Sequence, residues 1–168
     1  GHEGGESETI IGKWFASRPG MRDKVQLITK VGTEVFGGGG LSKDWITTEV
    51  EHSLKRLQTD RMDLYFSHFP DASTPHEETL RAFDDLVRSG KVLYVGCCNY
   101  NAWQVCHALW IQERINAAPY ICVQNPYSLL NRSLEREMFG VLREFGLGAM
   151  AYSPLAVGLL SGAYDADR

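Results

Sequence analysis

Nothing in these 168 residues approaches the roughly 20-residue apolar run of a membrane helix, and no signal-peptide pattern opens the chain. The expectation is a soluble, cytoplasmic protein with no membrane partner. Charge of one sign is also scarce. Seventeen Lys and Arg face 21 Asp and Glu for a net charge of −4, and no basic stripe alternates with aromatics, so nucleic acid is not an expected partner. There are only four cysteines (Cys97, Cys98, Cys106 and Cys122), and none shows a CxxC or Cys/His zinc spacing. Neighbouring Cys97 and Cys98 would point to opposite faces of a strand, which argues against a bond between them and for reduced, buried thiols. The glycine run at 37–40 lacks the lysine and the serine or threonine of a phosphate-binding loop and reads as a flexible connection.

What the chain does have is a repeated pattern. Apolar, β-like runs stop on a polar side chain, and a helix-like stretch usually follows. Val25-Gln-Leu-Ile-Thr-Lys30 ends on a lysine and Met62-Asp-Leu-Tyr-Phe-Ser-His68 on a histidine. Val92 to Asn99 ends on an asparagine, Tyr120 to Gln124 on a glutamine, and Leu147 to Ser153 on a tyrosine and a serine. Strands are predicted near 25–30, 62–67, 92–97, 120–124 and 147–152. Helices are predicted from a serine-capped start at Ser7 to Ser17, over 42–57 with Ile46, Val50, Leu54 and Leu57 inward, over 77–89 stopped by Gly90, over 101–116 capped by Asn101, and over 133–145 stopped by Gly146.

Strands alternating with helices of this length indicate βαβ units and a parallel sheet, with strands buried on both faces. An open doubly wound sheet is the rival architecture, but none of these strands runs into a GxGxxG turn. The pattern therefore points to an α/β fold of the (β/α)8 TIM-barrel type, in which side chains at the carboxyl ends of the strands share one mouth. A whole barrel takes about 250 residues. Five convincing units in a single domain over 1–168 predict a partial barrel, lacking its first strands and its last β/α unit. Strand edges left open in this way would favour association, so a homo-oligomer is allowed for.

The strand ends carry the candidate chemistry. Lys30 and His68 close successive strands; each alone is common as a solvent-reaching lysine or a satisfied histidine, and together they support each other. Asn99 and Gln124 offer amide donors and acceptors suited to a carboxamide, although Asn99 could equally start the next helix. Tyr152 offers a flat ring, and Ser153 opens a loop with Gly158 and Gly162 where backbone could approach phosphates. Carboxylate pairs of the kind glycosidases use are lacking here, apart from Asp71 beyond a proline.

Taken as a set, the strings Gly5-Glu-Ser-Glu-Thr-Ile-Ile-Gly12, Ile28-Thr-Lys30, Leu54-Lys-Arg-Leu-Gln-Thr-Asp-Arg-Met-Asp-Leu-Tyr65, His68-Phe-Pro-Asp71, Arg88-Ser-Gly-Lys-Val-Leu-Tyr-Val-Gly96, Cys98-Asn-Tyr100, Val123-Gln-Asn-Pro-Tyr127 and Ala151-Tyr-Ser-Pro-Leu155 resemble the aldo-keto reductases. The branch most resembled is the bacterial one that includes potassium-channel β subunits. The resemblance implies an oxidoreductase that reduces a small aldehyde or ketone with NAD(P)H, NADP(H) being favoured over NAD(H). It implies that Lys30 lowers the pKa of a proton-donating tyrosine and that His68 orients the carbonyl. It also implies that Asn99 and Gln124 hold the nicotinamide carboxamide, that Tyr152 stacks on the ring, and that Ser153 and Leu155 begin the pyrophosphate loop. A channel-type regulatory subunit with little turnover, or an inactive truncated fragment, is the alternative.

Two departures stand out. Cys98 occupies a usual serine position. The family's aspartate and tyrosine should precede the Gly5-Glu-Ser-Glu8 motif, yet the tyrosine's place falls near His2 and the aspartate's before Gly1. His2 could in principle donate the proton, but beside a cationic Lys30 it would tend to lose it.

Overall fold

The computed structural model describes residues 4–34 and 38–164. In chain order these form α1 (Glu6–Ala16), β1 (Ile28–Val31), α2 (Lys43–Leu57), β2 (Met62–Ser67), α3 (His76–Arg88), β3 (Val92–Cys98), α4 (Ala102–Arg114), β4 (Tyr120–Pro126), α5 (Met138–Phe145) and β5 (Gly148–Tyr152). The five strands make one sheet in the order β1-β2-β3-β4-β5, every pair parallel. Strand order equal to chain order is the winding of a barrel wall, and it rules out the strand-order reversal of a doubly wound sheet.

Two apolar layers flank the sheet. The larger lies under the helices and includes Val50, Leu57, Tyr65, Phe83, Val95, Val105, Tyr120 and Val123. The smaller lies on the other face, which would be a barrel's interior, and consists of Leu64, Phe66, Cys98 and Cys122 with Ile28 and Met150 against them. Strand alternation explains the split, since Tyr65 and Phe66 point to opposite faces. One residue row crosses the inner face as Lys30, Phe66, Gly96, Cys122 and Gly148, each in register with the next. Phe66 fills space left by the side-chain-free Gly96: a Cβ there would lie 2.6 Å from both the Phe66 ring and the Cys122 carbonyl oxygen. On the helical side, α1 meets α2 backbone to backbone at Gly12, whose Cβ would fall 2.1 Å from the Arg56 carbonyl oxygen.

Several sequence expectations need adjusting. β1 begins at Ile28 because residues 22–24 take a short 3-10 turn and Val25 stays outside the strand. The N-cap of α1 is Gly5, in a left-handed conformation (φ 81°), so Ser7 lies inside the first turn. Residues 133–135 form a separate 3-10 turn, which leaves α5 to start at Met138. Burial on both faces holds for β2 but not for β5, most of whose residues are exposed. From Gly38 onward the glycine run is packed rather than free, with the Gly38 Cα against the Trp45 ring and Gly40 against the Asp71 carboxylate. Asn101 does cap α4, its backbone N–H donating to Gln104 Oε1 at 2.8 Å.

Gly96→Ala should destabilise the fold by about 1–3 kcal/mol, the usual cost of overpacking a filled layer. Urea unfolding followed by far-UV circular dichroism checks this; an unchanged midpoint would mean that the inner layer has slack.

Candidate functional site

Because all five strands run the same way, their carboxyl ends gather on one side of the sheet, and the predicted residues Lys30, His68, Asn99, Gln124, Tyr152 and Ser153 sit there. Lys30 is the third residue of β1 and lies on the inner face opposite Phe66. His68 immediately follows β2. Its backbone N–H donates to the Val31 carbonyl at 2.7 Å, so the end of β2 is stitched to the end of β1. The imidazole stacks on Phe69, with ring centroids 4.6 Å apart, and its Nδ1 shares a short hydrogen bond with the Thr33 hydroxyl.

Asn99 follows β3 in a left-handed conformation (φ 61°), which asparagine tolerates better than most residues. Its Nδ2 donates to the His68 carbonyl at 2.9 Å, and its Oδ1 accepts from the Tyr152 hydroxyl at 2.7 Å. One amide thus bridges the ends of β2 and β5. Cys98 Sγ donates to Gln124 Oε1 at 3.6 Å. A thiol is a weaker donor than a hydroxyl would be at this position. Ser153 is exposed with φ 54°, Leu155 is exposed, and Ala156 and Val157 also have positive φ. The chain thus leaves β5 through a tight, left-handed turn.

Electrostatics single out His68. Burial lowers its pKa below the usual 6.5, and the Lys30 charge pushes it further the same way, so the imidazole is neutral at pH 7. Burial pushes the Cys98 thiol up to about 12, although Lys30 pulls against it, so the sulfur is a thiol and not a nucleophilic thiolate. Burial also acts to raise the Asp71 pKa. The Ser73 and Thr74 hydroxyls and the Leu41 and Ser73 backbone N–H groups outweigh it and hold the carboxyl well below the usual range. Asp71 is a structural hub that pins the chain before α2 to the loop after β2.

Lys30 and Asn99 line different hollows along the strand ends. Lys30 borders one beside β1 with Glu8, Thr29, Trp45 and Glu49, whereas Asn99 borders another with Asn101, Trp103, Asn125 and Arg136. Sequence reading missed Thr33 and Phe69 as partners of the His68 ring. Phe69 was visible as its neighbour; Thr33 lies beyond Gly32, whose φ of 107° turns the chain back, and no local signal marks that turn. His2 lies outside the described residues. No group of three or more His, Cys, Asp or Glu that could hold a metal ion occurs among the described residues, and none of their helices is long and apolar enough to cross a membrane.

A sequential parallel sheet with amides, a lysine, a histidine and a tyrosine at its carboxyl ends is the arrangement of one wall of an α/β barrel. The model of the aldo/keto reductase family matches residues 3–168, and the chain belongs to that family. It is 43% identical to the uncharacterized oxidoreductase YrpG of Bacillus subtilis (strain 168), over 96% of this chain and 52% of that protein. It is 42% identical to human aflatoxin B1 aldehyde reductase member 4, over 95% of this chain and 48% of that protein. A putative voltage-gated potassium channel subunit beta of Schizosaccharomyces pombe (strain 972 / ATCC 24843) is 34% identical over 98% of this chain and 49% of its own length. The chain therefore spans about half the length of these relatives.

His68 should titrate below 6.5, and Lys30→Met should move its pKa back toward that value, as followed by NMR of the imidazole carbons. The native state holds this proton less tightly than the unfolded chain. The contribution of His68 to stability is therefore full above pH 6.5 and declines as pH falls toward its native pKa. Replacing His68 with glutamine should flatten that part of the stability profile.

Proposed function

We propose that the protein to which this chain belongs is an NAD(P)H-dependent oxidoreductase that reduces an aldehyde or ketone to an alcohol, with Lys30 and His68 at the reacting carbonyl. The observation that carries this reading is the linked mouth, in which Lys30 acts on His68 and Asn99 joins His68 to Tyr152. Membership of the aldo/keto reductase family and the names of the oxidoreductase and aldehyde reductase relatives support it.

The donor set fits a nicotinamide. Tyr152 is 38% exposed and offers a ring face, while Asn99 and Gln124 bring two amides to the same mouth. When bound, such a cofactor supplies the hydride. The chain's own work is to orient the carbonyl and to stabilise the charge that develops on its oxygen. A neutral His68 is suited to donating a hydrogen bond to that oxygen, held in place by Thr33 and Phe69. The Lys30 charge would favour negative charge on the oxygen and lower the pKa of a nearby proton donor. Ser153 and Leu155 are proposed to begin a phosphate-side loop. NADP(H) is favoured over NAD(H) on the resemblance alone. A second reading, a cofactor-binding regulatory subunit with little turnover, is favoured by the channel-subunit relative.

The test is steady-state oxidation of NADPH with a panel of aldehydes and ketones, using the longest natural form of the protein. Lys30→Met should lower kcat by about 10²–10⁴-fold, the usual range for general acid help, with cofactor affinity largely kept. Tight cofactor binding without turnover across the panel would instead favour the regulatory reading. The 168-residue chain alone should show little or no turnover beside the longer form. Equal rates would place the proton donor inside this chain.

A further inference from the structure

A hollow on the helix side of the sheet opens between the starts of α4 and α5, and the carbonyl chemistry proposed above makes no use of it. It measures about 550 Å³ and is bordered by Trp103, Asn125, Ser133, Arg136 and Glu137; Asn99, at the turn into α4, is where it meets the mouth. Asn125 reaches it from β4. Val123 belongs to the layer under the helices, and strand alternation turns Asn125 to that same face, away from Gln124. Asn125 is only 7% exposed. Its Nδ2 donates to the Tyr100 carbonyl at 3.0 Å, while its Oδ1 is buried and meets no donor among the described residues. A buried amide oxygen in that state calls for an N–H or O–H from whatever fills the hollow.

The other walls supply the opposite chemistry. α4 closes its own first turn, with the Asn101 N–H donating to Gln104 Oε1. α5 does not. Its N-cap, Glu137, makes no side-chain cap bond, so the first-turn N–H groups of this eight-residue helix stay open to a ligand. Such a helix end attracts an oxyanion. Arg136 stands next to it, exposed and without a carboxylate partner among the described residues, whereas nearby Arg132 is already paired with Glu135. The Glu137 carboxylate also borders the hollow and would repel a bare anion, but like Asn125 Oδ1 it can accept from hydroxyls. Trp103, 64% exposed, adds a flat apolar wall.

We propose that this hollow binds a small oxyanion that also carries hydroxyl groups, a phosphorylated or carboxylated sugar or polyol. The anionic end meets Arg136 and the start of α5, a hydroxyl donates to Asn125 Oδ1, and the carbon skeleton lies on Trp103. A positive corner beside two acceptors selects for both features in one molecule. Phosphate alone leaves Asn125 without a donor, and a neutral sugar leaves Arg136 without an anion. The site does not depend on the nicotinamide reading, because Lys30, His68, Gln124 and Tyr152 do not border it.

The experiment is an NMR titration of the longest natural form of the protein, following the Trp103 indole N–H and the Asn125 side-chain amide. The probes are glucose-6-phosphate, gluconate, glucose and inorganic phosphate. Glucose-6-phosphate or gluconate should give saturable shifts at both reporters, with glucose and phosphate each weaker by about tenfold, the worth of one hydrogen bond to a charged or buried group. Tighter binding of either hydroxylated anion supports the proposal and identifies the anionic group. Arg136→Ala and Trp103→Ala, both at exposed positions, should leave the rest of the spectrum in place and weaken binding by a similar factor. Phosphate binding as tightly as the hydroxylated anions, or shifts at Trp103 with none at Asn125, would overturn the proposal by showing an anion site alone. Absence of saturable shifts with all four probes, or unchanged affinity in Arg136→Ala, would overturn it outright.

Discussion

The inner row of Lys30, Phe66, Gly96, Cys122 and Gly148 is the constraint on which the mouth depends. One large ring is set against two glycines and a cysteine, and the β3–β4 register shifts at Gly96, where a glycine accommodates the irregularity. That ring is fully buried. Above it comes the next inner row, in which Cys98, Gln124 and Met150 are in register across β3, β4 and β5. A slip of one residue in any strand would turn its polar end toward the helices, so the site exists only while the Phe66 layer is filled.

Around this floor, charges are held where they organise the chain without entering the mouth. Glu8 of α1 accepts from Thr29 of β1 and from Arg56 of α2, and Arg56 also reaches Glu49. These groups are largely buried, and such networks generally fix which elements meet more than they add stability. Here the network fixes α1 over β1, with Gly12 permitting the close approach to α2. Asp71 has the same role in the loop after β2, binding Leu41, Ser73 and Thr74. Lys30 and His68 thus come from neighbouring strands whose surrounding loops are held by separate polar hubs.

Much of the sheet was legible because parallel strands are apolar runs and their ends are marked by polar residues. Met62–Ser67 coincides with the expected 62–67, and the positions of Lys30, His68, Asn99, Gln124 and Tyr152 at strand ends follow from the same pattern. The failures have local causes. Ser7 looked like a cap because Gly5 can cap through backbone conformation alone, which leaves no side-chain signal. The glycine run looked free because its packing partners, Trp45 and Asp71, lie later in the chain. The Asn99–Tyr152 bond joins residues 53 positions apart and depends on two side-chain orientations, so no periodicity could have announced it.

Asn99 shows why one residue type suits this corner. The chain must leave β3 with positive φ so that Tyr100 enters the core beside Tyr120 while Asn101 starts α4. Glycine would satisfy that backbone at no steric cost but would leave the β2 and β5 ends unjoined. Aspartate tolerates the same conformation and could accept from Tyr152, yet it would set a carboxylate against the His68 carbonyl in place of a donor. Only a side chain that carries both a donor and an acceptor and tolerates the left-handed region meets all three demands. The backbone turn that launches α4 and the polar bridge across the mouth are thus two uses of one asparagine.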